Sequence, residues 1–399
     1  MNKSIHFSGQ PTFSQLIKLI PKDVVGNCIG RAKSDHYYKK FDTWHHLVSM
    51  LFTCYGHCHS LREVVSGMRA LEGRLQSCEI KYFPARSTFS EANARRSSEV
   101  FERIYFALKT HWDTILPDSG RNKKLYIIDS STIKLFQEIF RGSGLSKNNG
   151  KRKGGLKVHM AVQEQQFLPS IMHITQAAYN DVTFSKNIHL PMGSTVVMDR
   201  GYRDHTLFHY WTSQKIRWIT RTHPNSYYVV NKHRTVSSRQ RQAGVIEDNE
   251  IRLGHPATKV FKINCRLIKY TSPVTGKYFE FITNDLKVKA STIARLYKKR
   301  WSIELLFKRL KQNMPLQYFL GDNQNAIRIQ IWCALIADLL LQVVRRQVKR
   351  KWAFSNIVSL IRLHLFNYLN LFTFLENPER CTISTIPSQH CQLKLNLSG

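Results

Sequence analysis

Leu125-Tyr-Ile-Ile-Asp129 is a short apolar and aromatic run closed by a carboxylate, and Thr195-Val-Val-Met-Asp199 repeats the pattern further along the chain. β-branched and aromatic residues in runs of this length fit strands, and a terminal acid on each puts carboxylates at the edge of a sheet. Between them, Leu156–Val162 and Leu168–Thr175 read as two more strands. The tight Gln163–Gln166 connection makes those two a hairpin, while Val182–His189 supplies a crossover helix before the strand ending at Asp199. The pattern predicts an α/β (α+β) fold on a mixed sheet. No Gly-x-Gly-x-x-Gly follows a strand and no Walker sequence is present, which excludes a doubly wound nucleotide fold.

Outward from this core the periodicity changes. Residues 1–115 carry 3.6-period apolar positions with Asp42, Ser60 and Ser87 as N-caps, and predict a helical, basic, DNA-binding N-terminal domain in which Ser87–Arg96 is a candidate major-groove helix. The core is expected at 121–200 and 286–325. Residues 201–285, with runs at Arg217–Arg221, Tyr227–Val230, Lys259–Tyr270 and Tyr278–Thr283, predict an antiparallel β insertion. A helical C-terminal region at 326–375 and an irregular tail at 376–399 complete the division. The most apolar run, Ile331–Val344, contains Asp338 and Gln342, falls short of a membrane span and reads as a buried helix. With no signal-peptide pattern at the N-terminus, the protein is expected in the cytoplasm, bound to the nucleoid when on DNA.

Charge names the partner. The 399 residues hold 60 Lys and Arg against 27 Asp and Glu, a net +33 with histidine neutral, and a surface of that sign and size binds a polyanion by neutralising phosphates and releasing counterions. A hydrophobic fraction of 42% excludes a disordered basic tail. The eight cysteines lack a framework spacing, so reduced thiols are expected; Cys54 to His59 is packing on an apolar helical stripe before it is a zinc half-site.

Residues 289–312 return to helix and hold Tyr297, Arg300, Glu304 and Lys311 at steps of 3, 4 and 7, which at about 100° per residue put all four on one stripe about 20 Å long. Ion pairs of Glu304 with Arg300 or Lys308 would explain the stripe on a solvated helix. Ile303, Leu305, Leu306, Phe307 and Leu310 instead make the helix apolar over much of its surface, so Glu304 is costly unless paired or liganded. Asp129, Asp199 and Glu304 together are the carboxylate set for phosphodiester chemistry with two divalent ions, and oxygen-only donors select Mg²⁺, with Mn²⁺ able to substitute.

Tyr297-Lys-Lys-Arg300-Trp-Ser-Ile-Glu304-Leu-Leu-Phe-Lys-Arg-Leu-Lys311 resembles the Tyr-x₂-Arg-x₃-Glu-x₆-Lys signature of DDE transposases of the bacterial insertion-sequence family called IS-four. Ile-Asp129-Ser-Ser-Thr, Met-Asp199-Arg-Gly-Tyr202 and Phe-Ile-Thr-Asn284-Asp285 match in order, and the likeness covers nearly the whole chain. The resemblance implies a ribonuclease-H-like catalytic core in which Asp129, Asp199 and Glu304 bind the catalytic metals while Tyr297, Arg300 and Lys311 contact DNA phosphates. It implies cut-and-paste transposition: binding of terminal inverted repeats, pairing of two ends in a homodimeric synaptic complex, cleavage to a 3′-hydroxyl and its attack on target double-stranded DNA. Relatives release the element through a DNA hairpin with an aromatic side chain stacked on a flipped base, and Trp218 is the candidate platform here.

Arg200 and Tyr202 are further candidates to approach the scissile phosphate. The Gly/Lys/Arg-rich segment Ser143–Lys157, with Lys151, Arg152 and Lys153, is expected to be a loop that tracks a DNA backbone. Lys157 and His159 alternate with Val158, so either can face the site. The alternatives to a transposase are a catalytically inactive, DNA-binding relative acting as a repressor, and another ribonuclease-H-like DNA nuclease.

Overall fold

The computed structural model describes residues 9–116, 124–134, 145–148, 151–164, 168–176, 181–186, 188–257, 262–314, 316 and 318–381. The N-terminal third is helical: α1 (Thr12–Lys18), α2 (Lys22–Ala32), α3 (Thr43–Gly56), α4 (Leu61–Ala70), α5 (Glu72–Leu75), α6 (Arg86–Arg95) and α7 (Glu99–His111). The caps sit where the sequence places them at Asp42, whose carboxylate accepts the His45 N–H, and at Ser60, whose hydroxyl accepts the Glu63 N–H. Asn93 and Arg96, expected to read DNA from the Ser87–Arg96 segment, are instead buried. Asn93 Oδ1 pairs with His46 Nε2 at 2.7 Å, and Arg96 donates to the Phe41 carbonyl at 2.6 Å.

Ten strands follow among the described residues: β1 (Leu125–Lys134), β2 (Leu145–Asn148), β3 (Lys151–Gln163), β4 (Leu168–Gln176), β5 (Thr195–Met198), β6 (Arg217–Arg221), β7 (Tyr228–His233), β8 (Val245–Leu253), β9 (Ile263–Thr271) and β10 (Tyr278–Thr283). The helices α8 (Asp181–Lys186), α9 (His205–Ser213) and α10 (Ser238–Gln242) interrupt them. The described strands form one sheet in the order β2-β3-β1-β5-β6-β10-β9-β8-β7, with β4 also paired to β3. β3 runs antiparallel to β1 and β4, while β1, β5 and β6 are mutually parallel. Taken in chain order, the five core strands therefore stand third, second, first, fourth, fifth, the topology of a ribonuclease-H-like core. β6, expected inside the insertion, is the fifth of these strands, and β7–β10 continue the same sheet through β10–β6 pairing.

The Ser143–Lys157 loop expected from composition is in its described part a hairpin, β2 against β3, with Leu145 opposite Gly154 and Asn148 opposite Lys151. Backbone pairing there needs no apolar side chains, which is why composition misjudged it. Strand β8 was passed over for a related reason. Its charged run Glu247-Asp248-Asn249-Glu250 holds a buried carboxylate, Asp248, whose oxygens accept from Arg266 of β9.

The C-terminal part contains α11 (Ala290–Lys298), α12 (Trp301–Asn313), α13 (Gln324–Gln347), α14 (Phe354–Leu363) and α15 (Leu371–Glu376). α13 extends well past the apolar run read from sequence. It is long and apolar enough to cross a bilayer by length and composition, but 94% of its apolar window is buried by protein. α3, α6, α7 and α14 pack on it, so it is the axis of the helical layer. Asp338, in its middle, accepts from Arg309 of α12, Nε to Oδ1 at 2.9 Å and Nη2 to Oδ2 at 2.7 Å, which locks α12 to this axis. The sheet is covered on both faces. In β5, Val196 and Met198 join the cluster under α8 and α9, whereas Val197 joins the cluster under α11.

Candidate active site

Register brings the two aspartates together. β1 and β5 pair in parallel, ending at Ile128 opposite Met198, so Asp129 and Asp199 are the next residue on each chain. Neighbouring strands stand about 4.8 Å apart and register partners share a face, so the two carboxylates sit side by side. β1 does not end there as the sequence suggested: it continues to Lys134, paired with β3, and Asp129 lies opposite Met160 within the strand.

The helix expected over 289–312 is two helices. The Lys299, Arg300, Ser302 and Ile303 N–H groups each bond a carbonyl three residues back, and the chain bends between α11 and α12. Tyr297 therefore comes from the end of α11, Arg300 from the bend, and Glu304 and Lys311 from α12, in place of one stripe. The bend lets α11 cover β5 and β6 while α12 packs on β1. Tyr297 is buried among Val197, Ile219 and Phe281, and its hydroxyl donates to Asp199 Oδ1 at 3.5 Å.

Arg300 is the hub. Its Nη1 donates to Asp129 Oδ2 at 3.2 Å and its Nη2 donates to Glu304 Oε1, so one guanidinium bridges the first and third carboxylates. Arg221, the last residue of β6, donates to Asp199 Oδ1 at 3.1 Å. The Ser130 N–H donates to Asp129 Oδ1 at 2.8 Å, and Lys311 Nζ donates to the Ser131 hydroxyl at 2.7 Å. Burial pushes the Asp129 carboxyl up to about 6; the Ser130 N–H and Arg300 pull against that rise, while Asp199 and Glu304 add to it. Burial also works on Asp199, but the Arg200 N–H, Arg300 and Arg221 outweigh it and hold this carboxyl below its ordinary range. The three carboxylates are thus one electrostatic group. Among the described residues no three acidic, His or Cys side chains converge on a point, and Arg300 stands between Asp129 and Glu304.

Other expected residues fall elsewhere. Trp218 is no base platform: it is fully buried, stacked 4.1 Å from Phe208, and its indole N–H donates to Thr212. Trp301, the residue that follows Arg300 at the start of α12, is 60% exposed. Tyr202 is buried in the cluster under α9 and cannot reach a phosphate, whereas the Arg200 side chain is exposed. Lys151, Arg152 and Lys153 lie in β3, and their side chains are outside the described residues, as is the tail from 382 to 399. Sequence reasoning missed Arg221, although Trp218-Ile-Thr-Arg221 closes a strand with a charge as the two acidic strands do. It also missed Asp181, whose carboxylate accepts from the Ser130 hydroxyl.

A ribonuclease-H-like sheet with carboxylates gathered at adjacent strand positions defines a class of enzymes that cut and join nucleic-acid backbones. The chain belongs to the family described as "Transposase DDE domain", which matches residues 120–340. It is a bacterial insertion-sequence-type transposase, a DNA-cleaving enzyme, and membership implies dependence on a divalent metal. A transposase of Sinorhizobium fredii, named y4zB, is 32% identical over 66% of this chain and 72% of its own length. A transposase of Synechocystis, named for insertion sequence element IS4SA, is 26% identical over 65% of this chain and 71% of its own. Residues 8–81 match a family described as "Domain of unknown function (DUF4372)". Among solved structures, a cryo-EM piggyBac transposase synaptic complex with hairpin DNA aligns with 94% of this chain and 81% of its own at 10% identity and a TM-score of 0.39.

Proposed function

We propose that this transposase is of the IS-four type and that Asp129, Asp199 and Glu304 hold its catalytic divalent ions, two Mg²⁺ with Mn²⁺ able to substitute. The observation that carries the reading is the β1–β5 register, which leaves Asp129 and Asp199 as neighbours at the end of the paired segment, with Glu304 joined to Asp129 through Arg300. The donor set fits a hard cation: it offers only carboxylate oxygens, and the Asp129 carboxyl, raised chiefly by burial, is raised further by Asp199 and Glu304 beside it. Bound there, divalent metal supplies activation of the attacking oxygen and stabilisation of the leaving one.

The protein's own groups supply the rest. Arg300 releases Asp129 and Glu304 and takes a DNA phosphate, for which its planar fork is suited. Tyr297 and Arg221 fix the Asp199 carboxylate, and Lys311, exposed at the edge of the site, meets the backbone of the same strand. Arg200 and the strand carrying Lys151, Arg152 and Lys153 extend the cationic surface. Trp301, rather than Trp218, is the side chain on which a displaced base stacks. The helical N-terminal region, 1–115, contributes DNA binding, the sheet beyond β6 forms the inserted module, and a homodimer pairs two terminal inverted repeats before cutting and strand transfer in the cytoplasm.

Cleavage of DNA carrying the element's ends, assayed with Mg²⁺, tests this reading. Asp129→Asn, Asp199→Asn and Glu304→Gln should each abolish cutting and retain DNA binding; normal cutting by any one removes that residue from the set.

A further inference from the structure

Behind Asp129 lies a polar cluster that the site as described does not use. Asp181 opens α8, the crossover between β4 and β5, and its carboxylate collects donors from two strands. The Ser130 hydroxyl donates to Oδ1 at 2.8 Å, Lys157 Nζ to Oδ2 at 2.8 Å, and His159 Nδ1 stands 3.3 Å from Oδ1. Lys157 and His159 thus both face this cluster, held by the β1–β3 register that sets Ser130 opposite His159. His159 is itself fixed, its Nε2 paired with the Thr175 hydroxyl at 2.8 Å and its ring stacked on Phe184 of α8. Tyr202, from the turn after Asp199, is buried, and its hydroxyl has no hydrogen-bond partner among the described residues.

Two properties give the cluster a direction. Burial works to raise the Asp181 carboxyl, but the hydrogen bonds from His159, Lys157 and Ser130 outweigh it and bring it down to about 2, so Asp181 is an anion at any working pH. A fixed anion can only accept, and it sets the Ser130 hydroxyl as donor. Ser130 in turn donates its backbone N–H to Asp129 Oδ1. The chain of contacts runs from Asp181 through Ser130 to the first carboxylate.

We propose that Asp181 is a positioning residue of the active site: through Ser130 it fixes the segment bearing Asp129 at the separation from Asp199 that metal binding requires. This rests on the reading of Asp129, Asp199 and Glu304 as metal holders. Partners that orient metal-binding carboxylates are worth ten- to a hundredfold in metal affinity or activity, and Asp181 stands in that relation to Asp129.

The test uses the full chain on end DNA, with Mn²⁺ affinity read from the free-ion electron paramagnetic resonance signal, beside melting temperature, DNA affinity, kcat and KM. Asp181→Asn should weaken Mn²⁺ binding by about ten- to a hundredfold and lower kcat in parallel, with KM for DNA within about twofold. Ser130→Ala keeps the Lys157 and His159 pairs and should reproduce most of the loss without lowering the melting temperature, so it decides the matter where Asp181→Asn fails to fold. The double variant should be no worse than Asp181→Asn alone, because both break one chain of contacts. Mn²⁺ affinity within about twofold of wild type in Ser130→Ala and in folded Asp181→Asn overturns the proposal while leaving the metal reading intact. Absence in the wild type of any saturable Mn²⁺ site that Glu304→Gln removes overturns both.

Discussion

Replacing Arg300 with alanine separates two roles of one side chain. Arg300 bridges Asp129 and Glu304, so a divalent ion and a guanidinium compete for the same oxygens. Opposite charges about 4 Å apart attract by roughly 4 kcal/mol at an effective dielectric of 20. Glu304 is 34% exposed, and solvent screening roughly halves the figure to about 2 kcal/mol, a factor of about 30 in affinity. Without DNA, at pH 9, Arg300→Ala should therefore bind Mn²⁺ at least about tenfold more tightly than wild type. The pH dependence should move the other way. Metal needs the ionised carboxylate, so uptake by the wild type fails as pH falls through about 6, the value to which Asp129 is pushed by burial against the pull of Arg300. A neighbouring arginine lowers a carboxyl by about 1–3 units, and its removal should raise the midpoint by that amount. Mn²⁺ titrations from pH 5 to 9 read both effects. Equal or weaker binding at pH 9 with an unmoved midpoint would refute the competition. DNA should tighten Mn²⁺ binding to the wild type and leave the variant unchanged, since the phosphate then takes the arginine.

Asp129→Asn should inactivate the enzyme yet stabilise the metal-free fold at pH 7.5. A carboxyl raised from 3.8 to about 6 in the fold contributes most when protonated and costs progressively more as pH rises between those values, up to about 3 kcal/mol with the pull of Arg300 already included; thermal melts should show the variant gaining more over wild type at pH 7.5 than at pH 4. Asp338→Ala leaves Arg309 without its buried partner and should cost about 3–5 kcal/mol by urea unfolding, with a stability change under 1 kcal/mol contradicting the lock between α12 and α13. Lys311→Ala should flatten the salt dependence of end binding by about one unit of slope, and an unchanged slope would assign Lys311 to contacts within the protein, such as that with Ser131, rather than to DNA.

Much of the core was legible because its strands are dense in Val, Ile and Met and buried on both faces, and because the residues that follow them are charged. The acidic set was legible for the same reason: Asp129, Asp199 and Glu304 stand where apolar periodicity meets a carboxylate. What the sequence hid is three-dimensional compensation. Strand β8 is polar because Asp248 is answered by Arg266 on the neighbouring strand, a pairing no window of sequence contains. The bend at Lys299–Arg300 comes from the need to cover two parts of the sheet, and the helical spacing runs through it without a break. Trp218 and Trp301 each follow an arginine, and only packing distinguishes the buried one from the exposed one. Asp181 lies far from Asp129 in sequence and gains its meaning from the β1–β3 register and Ser130 alone.

The central claim is that the carboxylates brought together by the β1–β5 register hold the metal that cuts DNA. Purified protein and its Glu304→Gln variant, incubated with Mg²⁺ and linear DNA carrying the sequence that flanks this gene, test it on denaturing and native gels. Metal-dependent cuts at a discrete inverted repeat, absent from the variant although both bind the DNA, are the expected result. Equal cutting by the two proteins, or binding without any cut in Mg²⁺ or Mn²⁺, would contradict it.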